Sequence, residues 1–62
     1  MNKLAEIRHK QGWSQRDLAE RAQINFVTIA RIESGIYDPR LSTLRALAKA
    51  LKVKMADLIE EA

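Results

Sequence analysis

Sixty-two residues with a net charge of +3, no cysteine and one histidine describe a single small basic domain over residues 1–62, near the size at which an apolar core needs a staple. Without cysteine there is neither a disulfide nor a thiolate metal site. No apolar run reaches membrane-spanning length and Met1-Asn2-Lys3-Leu4 lacks a signal-peptide core, so a soluble cytoplasmic protein is expected.

In chain order the first predicted helix runs from Asn2 to Gln11, with Leu4, Ala5 and Ile7 on one side and Gly12 as its stop. Ser14 caps the second, because its hydroxyl can accept the amide of Asp17 while the Asp17 carboxylate sits in the positive first turn. Trp13 before that cap and Leu18 after it have the spacing of a hydrophobic staple. The same grammar repeats after the connector Gln23-Ile24: Ile24 precedes the cap Asn25, Ile29 follows four residues on, and Gly35 offers a left-handed stop. Pro39 breaks the loop Ile36 to Leu41. Ser42 is expected to cap a fourth helix carrying Leu44, Leu47, Ala48 and Leu51, and a fifth from Met55 to Glu60 would turn Met55, Leu58 and Ile59 inward. Lys54, at the cap position of that last helix, has no acceptor to offer. There is no strand signal, repeat or linker.

The third helix has an unusual outer face. With Ile29 at the centre of the buried side and 100° per residue, Ile32 and the stem of Glu33 fall beside it, while Val27, Ala30, Arg31 and Ser34 gather opposite and Phe26 and Thr28 flank them. A solvated helix would carry several lysines or glutamates there. A small, partly apolar surface with one arginine suits the DNA major groove, where methyl groups meet thymine methyls and a guanidinium grips guanine O6 and N7. It would also suit a protein partner. Charge leans toward DNA: up to Arg45, eight cations face five carboxylates, and from Ala46 onward three balance three.

Leu4…Ile7-Arg8, Trp13-Ser14-Gln15…Leu18-Ala19, Thr28-Ile29…Ile32-Glu33-Ser34-Gly35, Pro39 and Thr43-Leu44…Leu47-Ala48…Leu51-Lys52-Val53 follow one another at a familiar spacing. In them the whole chain resembles the DNA-binding domain of the phage repressor and Cro proteins, the Xre family. The resemblance implies an all-α, compact five-helix bundle with a helix-turn-helix at helices two and three, the second crossing the DNA backbone and the third entering the major groove. By position it assigns Phe26, Val27 and Arg31 to base edges. It assigns Gln15, Thr28 and Arg40 to the sugar-phosphate backbone, and Arg8 with Glu33 to a structural ion pair beneath the motif. Family members usually place polar residues where Phe26 and Val27 stand, so those two positions cannot form bidentate bonds to a base. Phe26 has a second reading: at about 60° from the buried centre, its ring can fold over the motif and complete a thin core.

Catalysis has little support, with one histidine, dispersed carboxylates and neither a phosphate loop nor a metal spacing. No cofactor, metal or small-molecule site is expected. Trp13 and Tyr37 read as staple and loop anchor. Two functions of different class remain: a sequence-specific double-stranded DNA binder regulating transcription, most simply as a repressor, or a protein-interaction module of antitoxin or adaptor type. An engineered or excised domain would carry the same signals. One recognition helix reads few base pairs, so a homodimer is expected, formed through the bundle's own surface and stable in some cases only on DNA.

Overall fold

The computed structural model describes residues 3–59, and in it each apolar stripe buries itself against another. Helices α1 (Leu4–Lys10), α2 (Gln15–Ala22), α3 (Phe26–Ser34) and α4 (Leu41–Leu51) precede a single 3-10 turn, Met55–Leu58. The described residues are thus all-α, but the five-helix count is corrected to four helices and a turn. Helix α2 packs on α3 and α4, α1 packs on α3, and the 3-10 turn closes on α4. Where they meet, Leu4, Leu18, Ile29, Ile32, Leu47, Leu51 and Leu58 are no more than 1% exposed.

Helix α1 ends as the sequence suggests, with Gly12 at φ +77°, a conformation that favours glycine. Asn2, read as its first residue, lies outside the described residues. Two long-range bonds tie the ends of the bundle together: the Lys3 amide donates to the Leu58 carbonyl at 2.9 Å, and Gln11 Nε2 donates to the Leu51 carbonyl at 3.0 Å. The second bond satisfies a last-turn carbonyl of α4 that has no partner within its own helix.

Helix α4 starts earlier than Ser42 implies. Arg40 is its N-cap, extended at φ −69°, ψ 160° and without a side-chain cap, and Ser42 lies inside the first turn. The Leu44 amide donates to the Arg40 carbonyl at 2.9 Å. A helix capped at Ser42 would give that bond up, and Pro39 keeps the preceding backbone out of the helical region, so the turn closes as soon as it can.

The last turn departs from expectation for a related reason. In a 3-10 helix residues three apart eclipse, so Met55 and Leu58 share the inner side, while Ile59 follows the turn in extended conformation at φ −104°, ψ 124° and leaves the helical period. Leu58 is 1% exposed and Met55 packs against the core, but Ile59, expected to face inward, is 49% exposed. Lys54 makes no side-chain cap, and its amide donates instead to the Asp57 carboxylate at 3.0 Å.

Ile29, fully buried in α3, anchors the motif to this core. Ile29→Ala should cost about 2–5 kcal/mol, out of the roughly 3–9 kcal/mol expected for a domain of this size. Urea unfolding followed by circular dichroism should show a much lower midpoint; a loss below about 1 kcal/mol would mean that Ile29 does not carry the packing assigned to it.

Candidate nucleic-acid interface

The two helices of the motif are positioned first by their own ends. Ser14 Oγ accepts the Asp17 amide at 3.0 Å, and the Asp17 carboxylate accepts the Ser14 amide at 2.8 Å. Those bonds hold the exposed Asp17 carboxyl below its usual range. Asn25 Oδ1 takes the Val27 amide at 2.7 Å, starting α3. Between them Gln23 adopts the left-handed conformation, φ 56°, and the Ile24 amide donates to the Ala19 carbonyl at 3.0 Å, which turns the chain in three residues. Gly35, φ 83°, ends α3.

Beneath the motif, Arg8 of α1 meets Glu33 of α3 through two parallel bonds: Nε to Oε2 at 2.7 Å and Nη2 to Oε1 at 3.0 Å. Both side chains are only 8% exposed. Arg8 Nη1 donates to the Trp13 carbonyl at 2.7 Å, and Gln15 Nε2 donates to Glu33 Oε1 at 3.0 Å. Burial pushes the Glu33 carboxyl up, but the bonds from Arg8 and Gln15 and the nearby positive charge outweigh it and hold it below its ordinary value. The bond to Glu33 likewise raises Arg8, against desolvation. Among the described residues no buried side-chain nitrogen or oxygen lacks a partner.

With its inner side held by Ile29, Ile32 and Glu33, α3 turns Val27, Arg31 and Ser34 outward, with Ala30 half-buried between them. Val27 is 49% exposed. Ser34 Oγ donates to the Arg31 carbonyl at 2.9 Å and so stays close to the helix. Thr28 is half-buried, and Arg40 is exposed at the start of α4.

Phe26 takes the second of its two readings in part, with its ring against the core, while the bond of Gln15 and the stack on Phe26 are features the sequence did not reveal. Gln15, assigned to phosphate, is half-buried with one amide hydrogen already given to Glu33. Phe26 packs partly against the core, and the Arg16 guanidinium lies over its ring, 4.6 Å from the centroid. No periodicity signals that stack, because its members stand ten residues apart on different helices. A comparable stack places Arg21 over Trp13 at 4.2 Å.

The ion pairs among the described residues are Arg8–Glu33 and Lys10–Glu6. Arg16, Arg31 and Arg40 therefore have no carboxylate within salt-bridge distance there, which leaves their positive charge available to a polyanion. Among the same residues no group of three or more potential metal ligands occurs, and no helix is long and apolar enough to cross a membrane.

A tight helix-turn-helix with a small, outward-facing second helix beside unpaired arginines is the architecture of a DNA-reading module. A family model described as Helix-turn-helix matches residues 4–58. The chain belongs to this family, the Xre-like helix-turn-helix domains of DNA-binding transcriptional regulators. It is 39% identical over 57 residues to the uncharacterized HTH-type transcriptional regulator YgzD of Bacillus subtilis, covering 92% of this chain and 86% of that one. It is 36% identical over 59 residues to the HTH-type transcriptional regulator PuuR of Escherichia coli, covering 95% of this chain and 32% of that one. The immunity repressor protein of Bacillus phage phi105 is also 36% identical over 59 residues, covering 95% of this chain and 41% of that one. The chain thus spans most of the first relative and less than half of the other two.

The lowered Glu33 carboxyl has a consequence for stability. A group whose ionisation is favoured by folding stabilises the fold above its unfolded value and loses that contribution as pH falls through the folded one. Glu33→Gln should cost about 1–3 kcal/mol at pH 7, less than full removal of a buried partner because the amide oxygen still accepts a bond. The gap from wild type should narrow below about pH 4. Urea titrations at pH 7 and pH 3 read both quantities, and a gap that does not change with pH would show that the charge of Glu33 contributes nothing.

Proposed function

We propose that this chain reads double-stranded DNA sequence-specifically in the major groove through α3, and that it acts as a repressor by occupying a promoter. The observation that carries this reading is the asymmetry of α3. Ile29 and Ile32 are sealed in the core, while Val27 and Arg31 stand exposed on the other side around the small Ala30. The exposed side chains of that surface among the described residues, Val27, Arg31 and Ser34, carry no carboxylate that would repel a phosphate backbone.

Within this reading Arg31 donates to a guanine edge, Val27 offers its methyl groups to thymine, and Phe26, at the rim of the same surface, contributes only apolar contact. Gln15 turns its second amide hydrogen to a phosphate, the first being held by Glu33. Thr28, in the first turn of α3, and Arg40, at the start of α4, take phosphates on either side. A nine-residue helix spans few base pairs, so two copies on half-sites about one helical turn apart would supply the specificity. Ile36 and Leu41, 79% and 61% exposed, are apolar surface for pairing between such copies. The location that follows is the cytoplasm, and the role is binding rather than catalysis.

Selection from randomised duplexes would first identify a preferred site. On that site Arg31→Ala should lose about 1–3 kcal/mol and relax the preference at one base pair. Arg40→Ala should weaken all duplexes alike and lower the salt slope by about one. Equal losses on every sequence for Arg31→Ala would remove it from base reading, and no salt-dependent duplex binding by wild type would favour a protein-interaction module.

A further inference from the structure

The stack between Arg16 and Phe26 joins the first turn of α2 to the first residue of α3, and no assigned role explains it. Arg16 is the second residue of α2 and stands four positions before Glu20, the ordinary partner for an exposed helical arginine. Yet among the described residues Glu20 takes no part in an ion pair, and the guanidinium lies over the Phe26 ring instead. The ring is itself held, packed partly against the core, so it is a fixed platform rather than a mobile side chain.

A guanidinium lying over an aromatic face keeps the N–H donors at its edge free and loses much of its rotational freedom. Among the described residues no carboxylate lies within salt-bridge distance of it. The stack also stands near the N-terminus of α3, where Asn25 takes only the Val27 amide and the helix dipole favours an anion. On the α3 wheel Phe26 lies about 100° from Val27, so the stack flanks the base-reading face instead of sharing it. The polyanion flanking a major groove is the phosphate backbone.

We propose that Arg16 grips a DNA backbone phosphate at the lip of the groove, and that Phe26 is the platform that holds its guanidinium there. This rests on the reading of α3 given above. It gives Phe26 a purpose that an apolar residue can serve at a position otherwise suited to a polar base reader. Arg16 is then a sequence-independent contact, and Phe26 acts through it as a positioning residue.

The test is a double-mutant cycle on duplex binding, read by fluorescence anisotropy at several salt concentrations on the preferred site and on an unrelated duplex. Arg16→Ala should weaken both duplexes by the same factor, on the order of tenfold, and lower the salt slope by about one. Phe26→Leu should weaken both duplexes in the same way, and the double variant should bind no worse than Arg16→Ala alone. Phe26→Tyr, which keeps a ring face, should retain the wild-type slope. Arg21→Ala removes the same charge on the side of α2 that faces Lys49 of α4, and should leave the slope near that of wild type.

A wild-type slope for Arg16→Ala, or additive losses in the cycle, would each overturn the proposal. If Phe26→Leu unfolds early in a circular dichroism melt, the Arg16→Ala and Phe26→Tyr results decide. Failure here is distinct from failure of the α3 reading. Should wild type bind no duplex in a salt-dependent way, both fall; should Arg31→Ala relax specificity while Arg16→Ala behaves as wild type, only the role of Arg16 falls.

Discussion

A buried charge in so thin a core is tolerable only if each of its nitrogen and oxygen atoms finds a partner, and the Arg8–Glu33 pair meets that condition. Arg8 gives Nε and Nη2 to Glu33 and Nη1 to the Trp13 carbonyl, while Glu33 Oε1 also receives Gln15. One cluster thereby ties α1, the segment entering α2, the first residue of α2 and the last turn of α3. Relative to an apolar replacement such a pair adds little net stability, because desolvation offsets much of the attraction. Its contribution is geometric: the rotation of α3 about its axis is fixed from below, so the opposite face cannot turn inward without breaking several short bonds.

The rest of the molecule supports the same orientation with little material. Helix α3 is nine residues long, and its two fully buried residues, Ile29 and Ile32, lie on one stripe. Its ends are set locally by Asn25 and Gly35, its partner helix by the reciprocal Ser14–Asp17 bonds, and the turn between them by the left-handed Gln23. These local features do not draw on the outer face, where the side chains of Val27 and Arg31 stand exposed on either side of the small, half-buried Ala30. That exposure permits a short helix to serve as a reading head.

What the chain itself reveals follows the range of the forces involved. Caps and stops act over three or four residues, so Ser14, Asn25, Gly12 and Gly35 were readable directly, as was the buried stripe of α3. The partnership of Arg8 with Glu33 spans 25 positions and came only from the family resemblance. Ser42 has a good capping side chain, but the backbone after Pro39 closes its first turn from the Arg40 carbonyl, two residues earlier. Ile59 falls on the inner side of an α-helical period, but the helix is a single 3-10 turn that ends at Leu58 and the chain is extended at Ile59. The bond from Gln15 to Glu33 and the stack of Arg16 on Phe26 depend on how two helices meet, and neither residue type nor spacing announces such an encounter.

The central claim is that this bundle holds the Val27, Ala30 and Arg31 face of α3 toward base pairs. Nuclear magnetic resonance of the labelled chain titrated with its selected duplex tests it most directly, since a protein of 62 residues gives a resolvable amide spectrum. The largest shifts should map to the outer face of α3 and the start of α2, with Ile29 and Ile32 keeping the signature of the free fold. Shifts centred on α4 and the 3-10 turn, with the outer face of α3 unmoved, would contradict the account.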